Sequence, residues 1–361
     1  MKKNLIFVSN YFGNGGAARV MQVLADHLTK TSEWNIKIIA FKTDNKIYKI
    51  PQNVEYCVLK SRKKIKRIIE IRKIIKEEKE KNDEIVIISF EWFVNLYTIL
   101  ACSGLKKTYL IISERNDPKR CGNEKKLIRN LLYRFADKLV CQTEDAKNYF
   151  PKYIQKKTIV IPNPIKENLP NRYIGERKKY IVAFCRIIKQ KNLKMLIDAY
   201  KIVEKKHPEY KLEIYGDGDE KEKLIRYVKK INLEKKIEFF TFKDNIYEEI
   251  LNYTMFVSTS DYEGISNSMI EAMAIGLPTI CTDCPCGGAR MMIKNRENGL
   301  LVPVRDTKKC ANAMIEVIEN KKLQNKISIN GTKIKERLNA EKIAKSWMKI
   351  IEHKESKNGV Y

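Results

Sequence analysis

The sequence predicts an open α/β fold divided into two domains. Short apolar runs alternate with helix-length stretches of amphipathic periodicity from end to end. The 361 residues suffice for two separate cores. Mid-chain, in IPNPI at 161–165, Pro162 and Pro164 cannot donate sheet hydrogen bonds, so sheet structure must stop there. The expected divisions are a first domain over 1–165, a linker over 166–178, a second domain over 179–338 and a terminal helix within 339–361.

Composition narrows the function classes. No apolar run approaches the ~20 residues needed to span a bilayer. The nine cysteines, an odd number, sit mostly in apolar segments, which is the usage of a reduced compartment. Cys281, Cys284 and Cys286 are close together but lack a further ligand or a nearby histidine, and structural zinc takes a full tetrahedral set, so no metal is expected. The formal charge of +27 has two readings, a compositional lysine bias or attraction to anionic lipid and phosphate-bearing substrates. No zinc-finger spacing, RNP motif or aromatic-interleaved basic stripe points to nucleic acid.

In the first domain, Leu5 to Ser9 reads as a strand rather than a signal peptide, because its short apolar run leads into a glycine loop. In NYFGNGGAARV, Gly13, Gly15 and Gly16 precede a helix with Val20, Val23, Leu24 and Leu28 on one side. Glycines there let a ligand approach the backbone, and a helix start favours its negative charge. The run is not G-x-G-x-x-G with a ribose acid downstream, so dinucleotide binding is not expected. Strands follow at Ile36 to Phe41 and Val54 to Leu59.

The stretch 61–82 predicts a helix with Ile65, Ile68, Ile69 and Ile75 on its apolar side and cations elsewhere. It suits either a core-packing helix with a solvated back or one lying on an anionic membrane. Ile85 to Phe90 and Tyr109 to Ile112 are the next strands. Glu91 and Asn95 follow the first, and Glu114, Arg115 and Asn116 the second, at the carboxyl ends where α/β sheets bind ligands; all five are candidate cleft-lining residues. The plainer reading of Asn116-Asp117-Pro118 is a turn. A second basic amphipathic helix, about Lys125 to Ala136, precedes strands Leu139 to Gln142 and Thr158 to Ile161.

The second domain opens with strand Tyr180 to Cys185, the loop RIIKQKN and a helix from about Leu193. Arg186 and Lys191 lie in that loop, where cations suit a diphosphate on which leaving-group charge develops. Strand Leu212 to Tyr215 ends in Gly216-Asp217-Gly218, whose glycines free the backbone to pass beside a base or phosphate. Asp217 and Asp219 spell D-x-D, but they precede a helix, where Asp is an ordinary cap, and no metal is assigned to them. Strand Ile237 to Thr241 and a short helix after Asn245 come next.

Residues 255–282, MFVSTSDYEGISNSMIEAMAIGLPTICT, read as strand, loop, helix, strand. Glu263 lies at the mouth of the loop, and Glu271 follows after seven intervening residues, along the helix. The two carboxylates are placed to hold different parts of one elongated ligand, with the amides of Gly264, Ile265, Ser266 and Asn267 between them. A sugar nucleotide has that layout; an ordinary helix start with a solvated Glu271 is the alternative. Gly287, Gly288 and Arg290 make a further candidate anion loop, and Gly299 to Pro303 a last turn and strand before helices from Thr307.

EGISNSMIEAMAIGLP resembles the E-x7-E region of retaining glycosyltransferases with the GT-B fold, the glycosyl transferases group 1 family. GGAARV is similar to the family's GGAERV loop, with Ala18 where an acid is common. RIIKQKN resembles its Arg/Lys diphosphate loop, with Cys185 for the usual glycine, and Gly216-Asp217-Gly218 its G-x-G turn. Asn163-Pro164 stands at its interdomain hinge, so the likeness spans nearly the whole chain. Many relatives carry a histidine in an N-domain loop that touches the donor sugar. Here the histidines are His27, His207 and His353, none in such a loop, and Glu114, Arg115 and Asn116 are the candidates to fill that place. Met291 stands where an acid often follows the arginine.

The resemblance implies two Rossmann-like domains facing across a cleft, the first for an acceptor and the second for a nucleotide-diphosphate sugar. It implies a final helix, about Ala340 to His353, that crosses back onto the first domain. It implies sugar transfer to a hydroxyl with retention, without metal or cofactor, Arg186 and Lys191 neutralising the departing diphosphate. Glu263 would act at the donor sugar and Glu271 at the ribose, with Gly15, Gly16, Gly216, Gly218 and the 264–267 amides around the donor. A UDP-sugar is the favoured donor. The expected acceptor is a glycan or undecaprenyl-linked glycan in bacterial surface-polysaccharide assembly, such as capsule or lipopolysaccharide. The expected setting is the cytoplasm, peripheral on the inner face of the plasma membrane. Two other classes stay open: a sugar-nucleotide epimerase of the same fold and a non-catalytic anion-binding module.

Overall fold

The computed structural model describes residues 3–13, 15–30, 33–43, 50–81, 84–243 and 245–352. The chain divides into two compact units, 1–164 with 338–361 and, between them, 165–337. Each is a Rossmann-like sheet of parallel strands with helices on its faces, the pair of folds that makes up GT-B.

The first unit contains β1 (Lys3–Ser9), β2 (Trp34–Ala40), β3 (Val54–Val58), β4 (Ile85–Phe90), β5 (Thr108–Ser113), β6 (Lys138–Cys141) and β7 (Thr158–Val160). Their order is β3-β2-β1-β4-β5-β6-β7, the reversal beside β1 being the doubly wound signature. A parallel sheet is covered on both faces, and β4 is accordingly buried at every position. The helix Ala340–Glu352 completes this unit. Its stripe of Ile343, Ala344, Trp347, Ile350 and Ile351 is buried in the same core as Phe7, Leu24 and Ile88. His353, where the sequence expects that helix to end, lies outside the described residues.

The second unit contains β8 (Lys178–Phe184), β9 (Lys211–Tyr215), β10 (Ile237–Phe240), β11 (Tyr253–Ser258), β12 (Thr279–Thr282) and β13 (Leu300–Val302). Their order is β10-β9-β8-β11-β12-β13. Phe184 pairs with Tyr215 and Ser258 with Cys281, so neighbouring strands end level and their following loops leave one edge together.

Two helices of the first unit depart from the sequence reading. In Lys64–Lys81 the buried residues are Ile71, Ile75 and Glu78, whereas Ile65 and Ile69 are exposed. The stripe that meets the sheet runs through 71, 75 and 78 at helical spacing, and Ile65 sits in the first turn, off that stripe. Buried Glu78 is held by Lys37 from β2 and by Lys81. The second helix, Asn123–Tyr133, buries Arg129, Asn130 and Tyr133 instead of its apolar residues. Among the described residues no helix is long and apolar enough to cross a membrane.

Candidate active site

In the second unit, β8 runs into the loop 185–192, and Asn192 caps the helix Leu193–Lys206 from a left-handed conformation, its side chain accepting from the Met195 amide. The turn after β9 grips the loop from one side. Cys185 N donates to Tyr215 O at 3.0 Å, Ile187 N to Asp217 O at 2.8 Å, and Glu220 N to Ile187 O at 3.1 Å. Gly216 and Gly218 permit this approach. A Cβ on either would lie 1.9 Å from Cys185 O or 2.3 Å from Ile187 O, at φ values of +148° and +156°. The close neighbour of both glycines is therefore the chain's own backbone, a use the sequence did not reveal. Asp217 pairs with Lys221 at 2.9 Å, and Asp219 is exposed.

The loop after β11 grips from the other side. Thr259 Oγ1 donates to the carbonyls of Lys191 and Asn192, both at 3.1 Å. Asp261 N donates to Gln190 O at 2.9 Å, Gln190 Nε2 to Tyr262 O at 2.8 Å, and Asn192 Nδ2 to Asp261 Oδ1 at 2.9 Å. Arg305 holds the other Asp261 oxygen at 2.9 Å. Between these ties the Lys191 ammonium pairs directly with the Glu263 carboxylate, which also accepts from Ser260 Oγ at 3.2 Å. The two side chains are 11% and 16% exposed, so both remain reachable. Burial works to lower the Lys191 pKa, but Glu263 outweighs it and holds the pKa above the usual lysine value. Arg186 is exposed on the same loop, close enough for its charge to oppose that of Lys191.

Gly264, Ile265 and Ser266 are buried at the start of the helix Asn267–Ala274, with Ser266 at its N-cap and Asn267 half-buried. Gly288 presses on this turn: a Cβ there would lie 1.7 Å from Gly264 O. Glu271, 4% exposed, accepts from Tyr247 Oη at 3.0 Å, and the Tyr247 ring meets Lys166 Nζ at 4.6 Å. Arg290 is bound to Asp283 at 2.7 Å on the surface. Cys281, Cys284 and Cys286 are buried, the Cys284 thiol pushed up to about 12 by burial. No group of three or more histidine, cysteine or acidic side chains is placed to hold a metal among the described residues.

In the first unit, Gly15 and Gly16 open the helix Gly16–Thr29, and a Cβ on Gly16 would lie 3.0 Å from Asn163 Nδ2. Asn163 Oδ1 accepts from Arg115 and, at 2.7 Å, from Gln142. Burial lowers the Arg115 pKa to about 9. Glu91 follows β4 at φ 78°, a conformation costing a side-chain-bearing residue about 1–3 kcal/mol. Asn95 and Glu114 are turned inward, 0% and 3% exposed. Asn95 accepts from Ser89 at 2.7 Å and donates to Tyr133 Oη at 2.9 Å, which donates to Glu114 at 2.7 Å. Burial raises the Glu114 pKa, and Arg129, 4.0 Å away, counters it. The cleft-lining position expected of these two is corrected to an internal network, since a polar side chain with all its partners inside has no need of solvent. Asn116 Oδ1 accepts from Asp117 N at 2.8 Å, which is the plain turn.

The structure thus brings Arg186, Lys191, Glu263 and the 264–267 turn together, along the one strand edge that 216–218 and 287–288 also adjoin. Sequence reasoning missed Gln190, Asn192, Thr259 and Asp261, which fasten the loops, and Tyr247 on Glu271. Asn192, a capping residue type just before a helix, was the one with a local signal.

The model of the family described as glycosyl transferases group 1 matches residues 165–334. Through these residues, just under half of its length, the chain resembles the members of that family. Across nearly its full length the chain is similar to the amylovoran biosynthesis glycosyltransferase AmsD of Erwinia amylovora, 25% identical over 97% of this chain and 100% of that one. It is also similar to the N-acetylgalactosamine-N,N'-diacetylbacillosaminyl-diphospho-undecaprenol 4-alpha-N-acetylgalactosaminyltransferase of Campylobacter jejuni, 28% identical over 90% of this chain and 92% of that one. Among solved structures, Anabaena HepE in complex with UDP and glucose matches with a TM-score of 0.80 at 17% identity, covering 96% and 99% of the two chains.

Proposed function

We propose that this glycosyltransferase moves a sugar from UDP to a hydroxyl of a glycan or lipid-linked glycan, with retention at the anomeric carbon and without a divalent metal. The reading is carried by one observation: Lys191, beside Arg186, faces Glu263 across two loops locked together at the carboxyl ends of adjacent strands. Lys191 has donors enough to keep Glu263 and to take a phosphate oxygen as well. Arg186 and Lys191 then neutralise the charge that grows on the diphosphate, the work a metal ion does elsewhere. Glu263 borders the donor sugar, the 264–267 amides the phosphates, and Glu271, held by Tyr247, the ribose. To the first unit we assign the acceptor.

UDP is favoured because HepE, of similar fold, holds UDP and glucose. A polyprenyl-linked acceptor is favoured by the relative that acts on a diphospho-undecaprenol glycan, and a polysaccharide pathway by AmsD. A lipid-linked acceptor places the enzyme at the cytoplasmic membrane surface. The test is a thermal-shift panel of nucleotide sugars, because a ligand that binds the folded state raises its melting temperature. UDP-sugars are expected to shift the wild type and to fail with Lys191→Ala, and turnover with EDTA present should yield a product of unchanged anomeric configuration. Silence from UDP-, GDP- and ADP-sugars alike would overturn the proposal; epimerised donor without acceptor would transfer the protein to the epimerase class.

A further inference from the structure

The helix Asn123–Tyr133 is built inside out. Its buried side chains are Arg129, Asn130 and Tyr133, at 0%, 8% and 0% exposed. These are well served inside: Arg129 donates to Pro118 O at 2.6 Å and lies 4.8 Å from the Phe150 ring, and Tyr133 joins Asn95 and Glu114. The apolar side chains point the other way. Leu127, Ile128 and Leu131 are 76%, 56% and 55% exposed, and Phe135, just past the helix end, is 71% exposed. One exposed leucine is ordinary, but four large apolar side chains within nine residues form a patch. The hydrophobic effect acting within this unit would have turned them inward, so the helix is shaped for something outside it.

The surroundings say what that is. Between Lys119 and Lys138, leaving aside buried Arg129, six cations stand against two acids, Glu124 and Asp137. Lys125 and Arg134, on and just past the helix, are exposed. The helix Trp92–Cys102 packs between this one and Lys64–Lys81, and both neighbours add exposed apolar residues, Leu100 on the first and Ile65 and Ile69 on the second. The layer therefore shows apolar side chains set among cations, the composition of an interfacial anchor. A second copy of this chain would bring the same cations face to face, which disfavours self-association through this surface.

We propose that this helix layer docks on an anionic phospholipid surface, Leu127, Ile128, Leu131 and Phe135 entering the acyl boundary and the cations lying at headgroup level. The docking gives a lipid-linked acceptor its route to the enzyme, and in that sense rests on the function proposed above. Binding to lipid is measured with no sugar present, so either proposal can fail alone.

The test is co-sedimentation of the full chain with vesicles of phosphatidylglycerol and phosphatidylethanolamine, and with vesicles of phosphatidylcholine alone. Binding is expected on the anionic vesicles, at least about tenfold weaker on the zwitterionic ones, and weaker as salt rises from about 0.1 M to about 0.5 M. The double variant Leu127→Asp/Leu131→Asp should lose at least about tenfold in binding while keeping the wild-type melting temperature, since both side chains are already in water. Should it melt early, Leu127→Ser/Leu131→Ser makes the same test more gently. Lys125→Glu/Arg134→Glu should abolish the preference for anionic lipid. Three outcomes overturn the proposal: no binding to anionic vesicles, equal binding by the Leu127/Leu131 variant, or a wild-type dimer in sedimentation equilibrium that this variant dissociates.

Discussion

Lys191 and Glu263 form a pair that is more than a surface ion pair, because both are largely covered and the function proposed above uses each of them. Removing the lysine leaves the carboxylate with Ser260 alone from this set and takes away the charge proposed to answer the diphosphate. Lys191→Ala is expected to lower kcat/KM by about a hundredfold to a thousandfold, as losses of a preorganised electrostatic group do; steady-state kinetics decides, and a loss under about threefold would remove Lys191 from the machinery. Gly288 is a second single-residue test. Its missing Cβ is what lets Gly264 O approach, so Gly288→Ala must push the 264–267 turn aside. The expected cost is about 1–3 kcal/mol in denaturant unfolding, together with loss of the donor-induced thermal shift.

At the scale of elements, the loops after β8 and β11 act as one piece. Asp261 makes three ties at once, to Gln190 and Asn192 on the loop after β8 and to Arg305 after β13. Asp261→Ala should leave the chain folded, raise the donor KM by about tenfold and lower kcat, since Lys191 loses its fixed position. Asp261→Asn, which retains an acceptor oxygen, should recover part of the loss; a merely structural role would show instead as a fallen melting temperature with unchanged KM. The helix Lys64–Lys81 offers a pH test. Burial works to raise the Glu78 pKa, but Lys37 and Lys81 hold it below the ordinary 4.5. The pair's contribution is therefore present above that unfolded value and is lost as pH falls through the lower folded one. Glu78→Gln should lower stability at neutral pH and leave a flatter loss below about pH 4.5, read from urea unfolding across that window.

At the scale of the molecule, the last helix finishes the first unit. Trp347 is fully buried against Phe90, with ring centroids 6.0 Å apart, although more than two hundred residues separate them in the chain. Trp347→Ala should cost about 3–5 kcal/mol in denaturant unfolding, the range for emptying a large aromatic site. Much of this architecture was legible beforehand. Strands covered on both faces must be mostly apolar, so Ile85–Phe90, with Ser89 its one polar residue, announces itself without knowledge of its neighbours. The loops that follow were legible too, because glycines, cations and caps are local requirements of a strand-to-helix turn. The inward turn of Asn95 and Glu114 and the outward turn of Leu127 and Leu131 were not, because each depends on what lies across the layer.

From the sequence alone came the alternation of strand and helix, the break near Pro162 and Pro164, the Arg186 and Lys191 loop, and Glu263 and Glu271 across a helix start. Each is a short-range pattern that backbone geometry and burial impose on neighbouring residues. Only the tertiary structure decided that Lys191 faces Glu263, that Gly216 and Gly218 are pressed by the chain's own backbone, and that Asp261 fastens the two loops. Those contacts exist because β8 lies between β9 and β11 in the sheet, an order set by crossovers over tens of residues that no local pattern of side chains encodes.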